Sequence, residues 1–170
     1  TISIIDNLSI DRNHLTRLND LFKESDSVIL ISPFLMTDFN TFFNENICVN
    51  LKNIHLITTL KPNSIDQIKK VSSLITLIEN NTIRNKRIQC KISINNKLHG
   101  KIYIFKKAGV SFSAIITSAN LTDNGLYLNH EWGVEITNSK IIENLEKSNL
   151  NCIEQQFENV PFPDIYKMLN

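Results

Sequence analysis

Two short runs of nearly uninterrupted apolar residues, Ser27 to Pro33 and Ile54 to Leu60, each lead into residues with helical signals, and no other feature constrains the fold as much. A strand buried on both faces reads as such a run, because neither face can carry polar side chains. Before the first, Leu15, Leu18, Leu21 and Phe22 recur at helical spacing within Ile10 to Lys23, after an acidic start at Asp11. Between the two, Thr37 and Asp38 predict caps for a helix carrying Phe39, Phe42 and Phe43. After the second, Pro62, Asn63 and Ser64 break the strand and open a long amphipathic helix through Ile65, Ile68, Val71, Leu74, Ile75 and Ile78. This β-α-β-α order predicts an α/β fold, a mixed and largely parallel sheet flanked by helices.

The second half is richer in strand signals. Ile88 to Ile94 alternates apolar and polar residues, and Asn95-Asn96 predicts a hairpin turn into a strand through His99, Lys101 and the apolar run Ile102 to Phe105. Ala108-Gly109 predicts a turn into a strand ending at Asn120, and Trp132 to Ile136 a further strand. Lys140 to Phe157 returns to helical spacing through Ile141, Ile142, Leu145, Leu150 and Ile153. Pro161 and Pro163 stop regular structure, which divides the 170 residues into a domain over 1–160 and a tail or linker over 161–170.

Polar residues of chemical interest fall in pairs two apart, each beside one of these apolar runs. His99 and Lys101 come first, then Ser118 and Asn120, then Asn129 and Glu131 after the turn-rich Asp123-Asn124-Gly125. A period of two aims both members of a pair at one sheet face, so three strand ends can converge. His130 points the other way and reads as structural or surface, while His14 and His55 have no motif around them. Cys48, Cys90 and Cys152 are odd in number and far apart, so they predict neither a disulfide framework nor a zinc site but buried free thiols.

H-x-K, S-x-N and N-x-E in this order resemble the phospholipase D superfamily, in the single-motif nuclease branch that includes metal-independent restriction endonuclease domains. Ile31-Ser32-Pro33-Phe34 and Thr117-Ser118-Ala119-Asn120-Leu121-Thr122 are also similar to that branch, and the resemblance covers nearly the whole chain. The wider family's pattern continues with an aspartate five residues after the lysine, where this chain has Lys106. The nuclease branch is similar in using the later glutamate, here Glu131. The resemblance implies hydrolysis of DNA phosphodiesters without metal or other cofactor, through a covalent phosphohistidine.

The residue chemistry fits that expectation. An imidazole titrating near neutrality can attack phosphorus or donate a proton, a lysine supplies a point charge for phosphoryl oxygens, and a carboxamide donates to the same oxygens. His99, Lys101 and Asn120 fill these roles, with Glu131 orienting the ring and Ser118 and Asn129 in support. One histidine cannot be nucleophile and acid in the same step, and this chain carries one H-x-K. The resemblance implies a homodimer that completes the site across a two-fold axis.

Substrate contacts are expected from Lys97, Lys106 and Lys107 and from Arg84, Lys86 and Arg87; a formal net charge of +1 means that such affinity must come from local clustering. Nothing resembles a reader of base edges, so sequence recognition is expected in a further domain after Asn170. The absence of a long apolar run or signal-peptide order predicts a soluble cytoplasmic protein with no membrane partner. Other readings stay open. A phosphodiesterase acting on RNA or lipid head groups would use the same residues, and a non-catalytic DNA-binding or dimerisation module would keep the fold without the reaction. Taken singly, Lys101 reads as a solvated strand lysine, Glu131 as half of a surface ion pair, Asn129 as a turn cap, and Arg84 to Arg87 as cations at a helix end.

Overall fold

A computed structural model describes residues 1–62 and 64–158. The chain runs β1 (Ile2–Asp6), α1 (His14–Glu24), β2 (Ser27–Ile31), β3 (Asn53–Thr58), α2 (Ile65–Ile78), α3 (Asn81–Asn85), β4 (Gln89–Ile94) and β5 (Lys101–Lys107). It continues through β6 (Val110–Thr117), a π-helical turn (Asn124–Leu128), β7 (Trp132–Ile136), α4 (Ser139–Leu150) and β8 (Gln155–Glu158). The expected tail over 161–170 lies outside the described residues.

All eight strands join one sheet in the order β1, β7, β6, β5, β2, β3, β4, β8. Only β2 with β3 and β3 with β4 pair in parallel; the other five junctions are antiparallel. The expectation of a largely parallel sheet is therefore corrected to a mostly antiparallel one, with helices on both faces. The parallel reading holds only for the β2, β3, β4 core, and the remaining strands add to it antiparallel on either side.

Period-two alternation divides β2 between two cores. Val28 and Leu30 pack with Leu18, Leu21 and Phe22 of α1, Leu74 and Leu77 of α2, and Phe39 and Phe43. Ile29 and Ile31 pack on the other face with Ile57, Ile104, Ala114 and Ile142 of α4. A central strand so placed must be apolar throughout, which is why its sequence reads as one run.

The expected helix over Phe39, Phe42 and Phe43 is instead a series of turns. Side chains take the backbone groups a helix would use: locally, Asp38 Oδ1 accepts Asn40 N and Asn44 Oδ1 accepts Asn46 N and Ile47 N, and from far along the chain Asn80 Nδ2 donates to the carbonyls of Phe39, Asn40 and Phe43. The rings still serve the core, meeting one another and Phe22 at centroid distances of 4.9 to 6.2 Å. The expected helix to Phe157 stops at Leu150, and the chain returns as edge strand β8. Cys48 is buried as expected, whereas Cys90 is half-buried and Cys152 exposed; none of the three is in a disulfide.

Asn95 and Asn96 do not turn a hairpin, because β4 and β5 are not neighbours: β3 and β2 lie between them. Residues 95–100 instead cross the sheet edge, a span of about 14 Å over three strand spacings. Asn95 N donates to Thr58 O (2.9 Å), and Leu60 N donates to Asn96 Oδ1 (2.7 Å), so the two asparagines pin the crossing to the end of β3. The Ala108-Gly109 turn forms as expected, with φ of 51° and 78° matching the tight hairpin between β5 and β6.

Candidate active site

The crossing segment passes over one edge of the sheet, where β2, β3 and β6 end and β5 and β7 begin. That arrangement follows from strand direction: Ile31 pairs with Ile102, Lys101 with Thr117, and Thr117 with Gly133. His99 is exposed on the crossing, Lys101 is the half-buried first residue of β5, Ser118 and Asn120 follow β6, and Glu131 precedes β7. The three spaced pairs therefore share one edge, although His99 precedes its strand and the strand expected to reach Asn120 ends at Thr117.

Ser118 and Glu131 are in direct contact. Ser118 Oγ donates to Glu131 Oε1 (2.7 Å) and itself accepts Trp132 N (3.2 Å). Ser118 N donates to Trp132 O (3.1 Å), which locks the two segments in register. The Asn120 carboxamide turns its oxygen towards Ser32 Oγ (3.4 Å). That hydroxyl donates to Phe34 O at 2.6 Å and accepts Leu121 N at 3.0 Å, so it fixes the backbone beside Asn120. From beneath, buried Tyr103 donates its hydroxyl to Ala119 O (2.7 Å); burial raises its phenol far above the ordinary range, and it stays neutral. The His99 ring makes no hydrogen bond among the described residues, so its expected contact with Glu131 is not formed in this state.

Asn129 takes part through its backbone. Its N–H closes the π-helical turn on Asn124 O (2.7 Å), and its carbonyl accepts Asn7 Nδ2 (2.9 Å). Asn7 is a hub that no motif announces: Nδ2 also donates to Gly125 O (2.8 Å), its backbone N–H donates to Glu131 O (3.2 Å), and Oδ1 accepts both His14 N (3.1 Å) and His14 Nδ1 (2.8 Å). Because Asn7 Oδ1 can only accept, His14 Nδ1 carries the proton, and Nε2 is left to accept the Thr117 hydroxyl (2.7 Å). Burial lowers the His14 pKa below its ordinary 6.5, against the opposing pull of Glu131 and Asp6, which agrees with a neutral ring. His14, without a motif in the sequence, is thus a buried strut behind Glu131.

Lys70 is a second unannounced support. Buried on α2, it donates to Pro33 O (2.7 Å), Thr59 O (2.9 Å) and Thr59 Oγ1 (2.9 Å), tying the ends of β2 and β3 together under the crossing. A helical stripe through Leu74 and Leu77, extended back one turn, arrives at position 70; that signal was present in the sequence.

Of the expected substrate contacts, only Lys97 lies at this edge. Lys106 and Lys107 end β5, and Arg84, Lys86 and Arg87 precede β4, which puts all five at the opposite end of the sheet, about 20 Å away by strand rise. Lys106 is moreover held by Glu146 (2.5 Å). Strand direction, which sequence spacing does not give, separates them from His99. His130 is exposed.

Beside Ser118 and Glu131, on the face that α4 leaves uncovered, lies an apolar groove of about 330 Å³ lined by Ile4, Ile116, Thr117, Trp132, Gly133 and Val134. Trp132 is 54% exposed and Ile116 37%. Among the described residues, no cluster of His, Cys, Asp and Glu could hold a metal ion, and no helix is long and apolar enough to cross a membrane.

The fold resembles several solved structures at low sequence identity. NucT from Helicobacter pylori shares 15% identity over 89% of this chain and 94% of its own, with a TM-score of 0.60. The phospholipase D family member Nuc from Salmonella typhimurium shares 15% over 92% and 97%, with 0.59. Phosphatidylserine synthase from Haemophilus influenzae Rd KW20 shares 15% over 92% of this chain but 39% of its own, with 0.61. No curated protein matches the sequence. A family model described as the NgoFVII restriction endonuclease N-terminal PLD domain matches residues 11–161, nearly the whole sequence. The chain thus belongs to the family of the NgoFVII restriction endonuclease N-terminal PLD domain and is a nuclease-like domain of the phospholipase D superfamily.

Proposed function

We propose that this chain is the cytoplasmic cleavage domain of a restriction endonuclease, hydrolysing DNA phosphodiesters without metal through a phosphohistidine on His99. The observation that carries the reading is the meeting of H-x-K, S-x-N and N-x-E at one sheet edge, with Ser118 bonded to Glu131. The imidazole of His99 attacks phosphorus, forming a P–N bond as the P–O bond to the leaving oxygen breaks. Lys101 and the amide nitrogen of Asn120, the end turned away from Ser32, neutralise charge on the non-bridging oxygens. The leaving oxygen takes its proton from His99 of a second copy. Water then attacks phosphorus, gives its proton back to that second imidazole, and the P–N bond breaks. Glu131 orients the nucleophilic ring once substrate draws His99 inward, with Ser118 and Asn129 holding its segment.

The second copy is supported by the apolar groove of Ile116 and Trp132, which adjoins the site and is the kind of exposed surface a partner covers. A further domain supplies sequence recognition. The same groove favours one other reading, a phosphodiesterase acting on lipid head groups; family membership favours DNA.

Cleavage of supercoiled plasmid, a single-stranded oligonucleotide and phospholipid vesicles in excess EDTA, wild type beside His99→Ala, tests the chemistry. DNA cutting that resists EDTA and disappears with His99→Ala is expected; cutting that needs Mg²⁺ or survives the substitution sinks the mechanism, and release of head groups alone selects the lipid reading. Mixing wild type with His99→Ala after exchange of subunits tests the composite site. An equal mixture should retain about one quarter of the wild-type activity, because only dimers of two intact copies work. Retention of half would mean that each copy acts alone.

A further inference from the structure

The end of the sheet opposite the candidate site gathers the cations that the sequence alone would place beside it. Neighbouring connections meet there through hydrogen bonds: Asp26 N donates to Lys106 O (3.0 Å), Lys52 N to Asp26 O (2.8 Å), Gln89 N to Lys52 O (2.8 Å), and Asn50 Nδ2 to Lys23 O (2.9 Å). Lys23, Lys52, Lys86, Arg87 and Lys107 are all exposed on these connections. Of the carboxylates at this end, Glu146 is taken by Lys106, while Asp26, which accepts Ala108 N and keeps its charge, stands with Glu24 and Glu79 against the five cations. In a chain of net charge +1, this is a concentrated positive face.

Arg87 gives the face a second, independent signal. The chain leaves α3 by a bond from Ile88 N to Ile83 O (2.9 Å), and the residue this closure forces into the left-handed region is Arg87, at φ 55°. Glycine is the ordinary occupant of such a position, because a Cβ is disfavoured there. Yet an arginine stands there, and its guanidinium makes no hydrogen bond or ion pair among the described residues. A side chain kept against backbone preference and unused inside the fold is directed outward. Guanidinium is also the group best shaped to grip a phosphate through paired donors. No aromatic side chain is exposed on these connections, so the face offers charge to a backbone and no stacking platform to unpaired bases.

We propose that this rear face is a nucleic-acid contact separate from the candidate site, binding the phosphate backbone of duplex DNA without sequence preference. It rests on the nuclease reading only for the choice of DNA as the polyanion. A cleavage domain with such a face holds a second stretch of duplex while the first is at the catalytic edge.

The test is anisotropy of a labelled duplex of about 20 base pairs across a salt series, using the full chain with His99→Ala so that binding is read without turnover. Arg87→Gly should melt at or above the temperature of its parent, since glycine suits the left-handed position, yet bind DNA at least about threefold more weakly, with the salt slope reduced by about 0.9. Adding Lys86→Gln and Lys107→Gln should reduce the slope by about 2.7 in all. A parent that does not bind duplex, or a triple variant that binds with the parent's affinity and slope, overturns the proposal. So does a triple variant that loses polyglutamate but keeps DNA, which would make the partner an acidic polypeptide. Arg87-dependent binding by a protein whose wild type cuts nothing would remove the nuclease reading and leave this face standing. EDTA-resistant cutting with Arg87-independent binding would do the reverse.

Discussion

A Cβ built at Gly125 would lie 2.2 Å from the carbonyl oxygen of Asn120 and 2.8 Å from its nitrogen, so the π-helical turn rests directly on the backbone of a proposed catalytic residue. The turn is held there from outside by Asn7, which takes the carbonyls of Gly125 and Asn129. Neither side can yield cheaply, because the backbone on both sides of Asn120 is tied down, Leu121 N to Ser32 and Ala119 O to Tyr103. Gly125→Ala should therefore cost about 1–3 kcal/mol of stability by overpacking. Cleavage should fall further than stability does, by about 100-fold for a displacement near 1 Å at the site. Melting temperature and cleavage rate, measured for Gly125→Ala, Asn120→Ala and the double variant, check this. If the glycine acts through Asn120, the double variant cuts as slowly as Asn120→Ala alone; additive losses would show that it acts elsewhere.

At the scale of elements, the sequence announced what local pattern determines and hid what pairing determines. β2, β3, β7 and the body of α1 and α2 were legible because both-face burial and helical spacing leave their mark on consecutive residues. β1 was not, since Ile2 and Ile4 lie exposed on an edge strand and imitate a polar-facing loop. In α2 the visible apolar stripe began at Ile65 and Ile68, which are 73% and 75% exposed, whereas the face that packs carries Lys70. Residue type hides a buried lysine that finds three oxygens, and only its place one turn before Leu74 marks it. The spaced pairs of the candidate site were readable from their order, but their supports were not: Asn7 and His14 reach Glu131 and Thr117 only because β1 pairs with β7. Strand order likewise sent Lys106, Lys107 and Arg84 to Arg87 away from His99, although spacing along the chain put them beside it.

For the whole molecule, two buried polar ties fasten α1 to the sheet, and each titrates in its own range. His14 is neutral, donating to Asn7 and accepting from Thr117. Its folded pKa lies below the ordinary 6.5, so the unfolded chain binds the proton more readily. The stability it contributes is complete above about pH 6.5 and declines as pH falls towards the depressed folded value, by at most about 1.4 kcal/mol per pH unit for one proton. Protonation need not break the strut: Nε2 can donate to Thr117 Oγ1 while that hydroxyl turns to Trp132 O at 3.0 Å. The cost is burial of the charge. Glu135 follows at lower pH. Burial pushes its carboxyl up, but Arg17, paired through Nε (2.6 Å) and Nη2 (2.8 Å), and Ser113 (2.8 Å) outweigh that and hold it below the usual 4.5. Its contribution is present above pH 4.5 and is lost as pH falls through the folded value. The melting temperature should thus fall in two stages on acidification, and His14→Gln, whatever its own stability, should flatten the first stage between pH 7 and 5.5 while leaving the second. Melting curves of wild type and variant at half-unit steps decide it: an unchanged slope between pH 7 and 5.5 in His14→Gln would assign that stage to another group and leave the strut without a titratable part in holding α1 to the sheet.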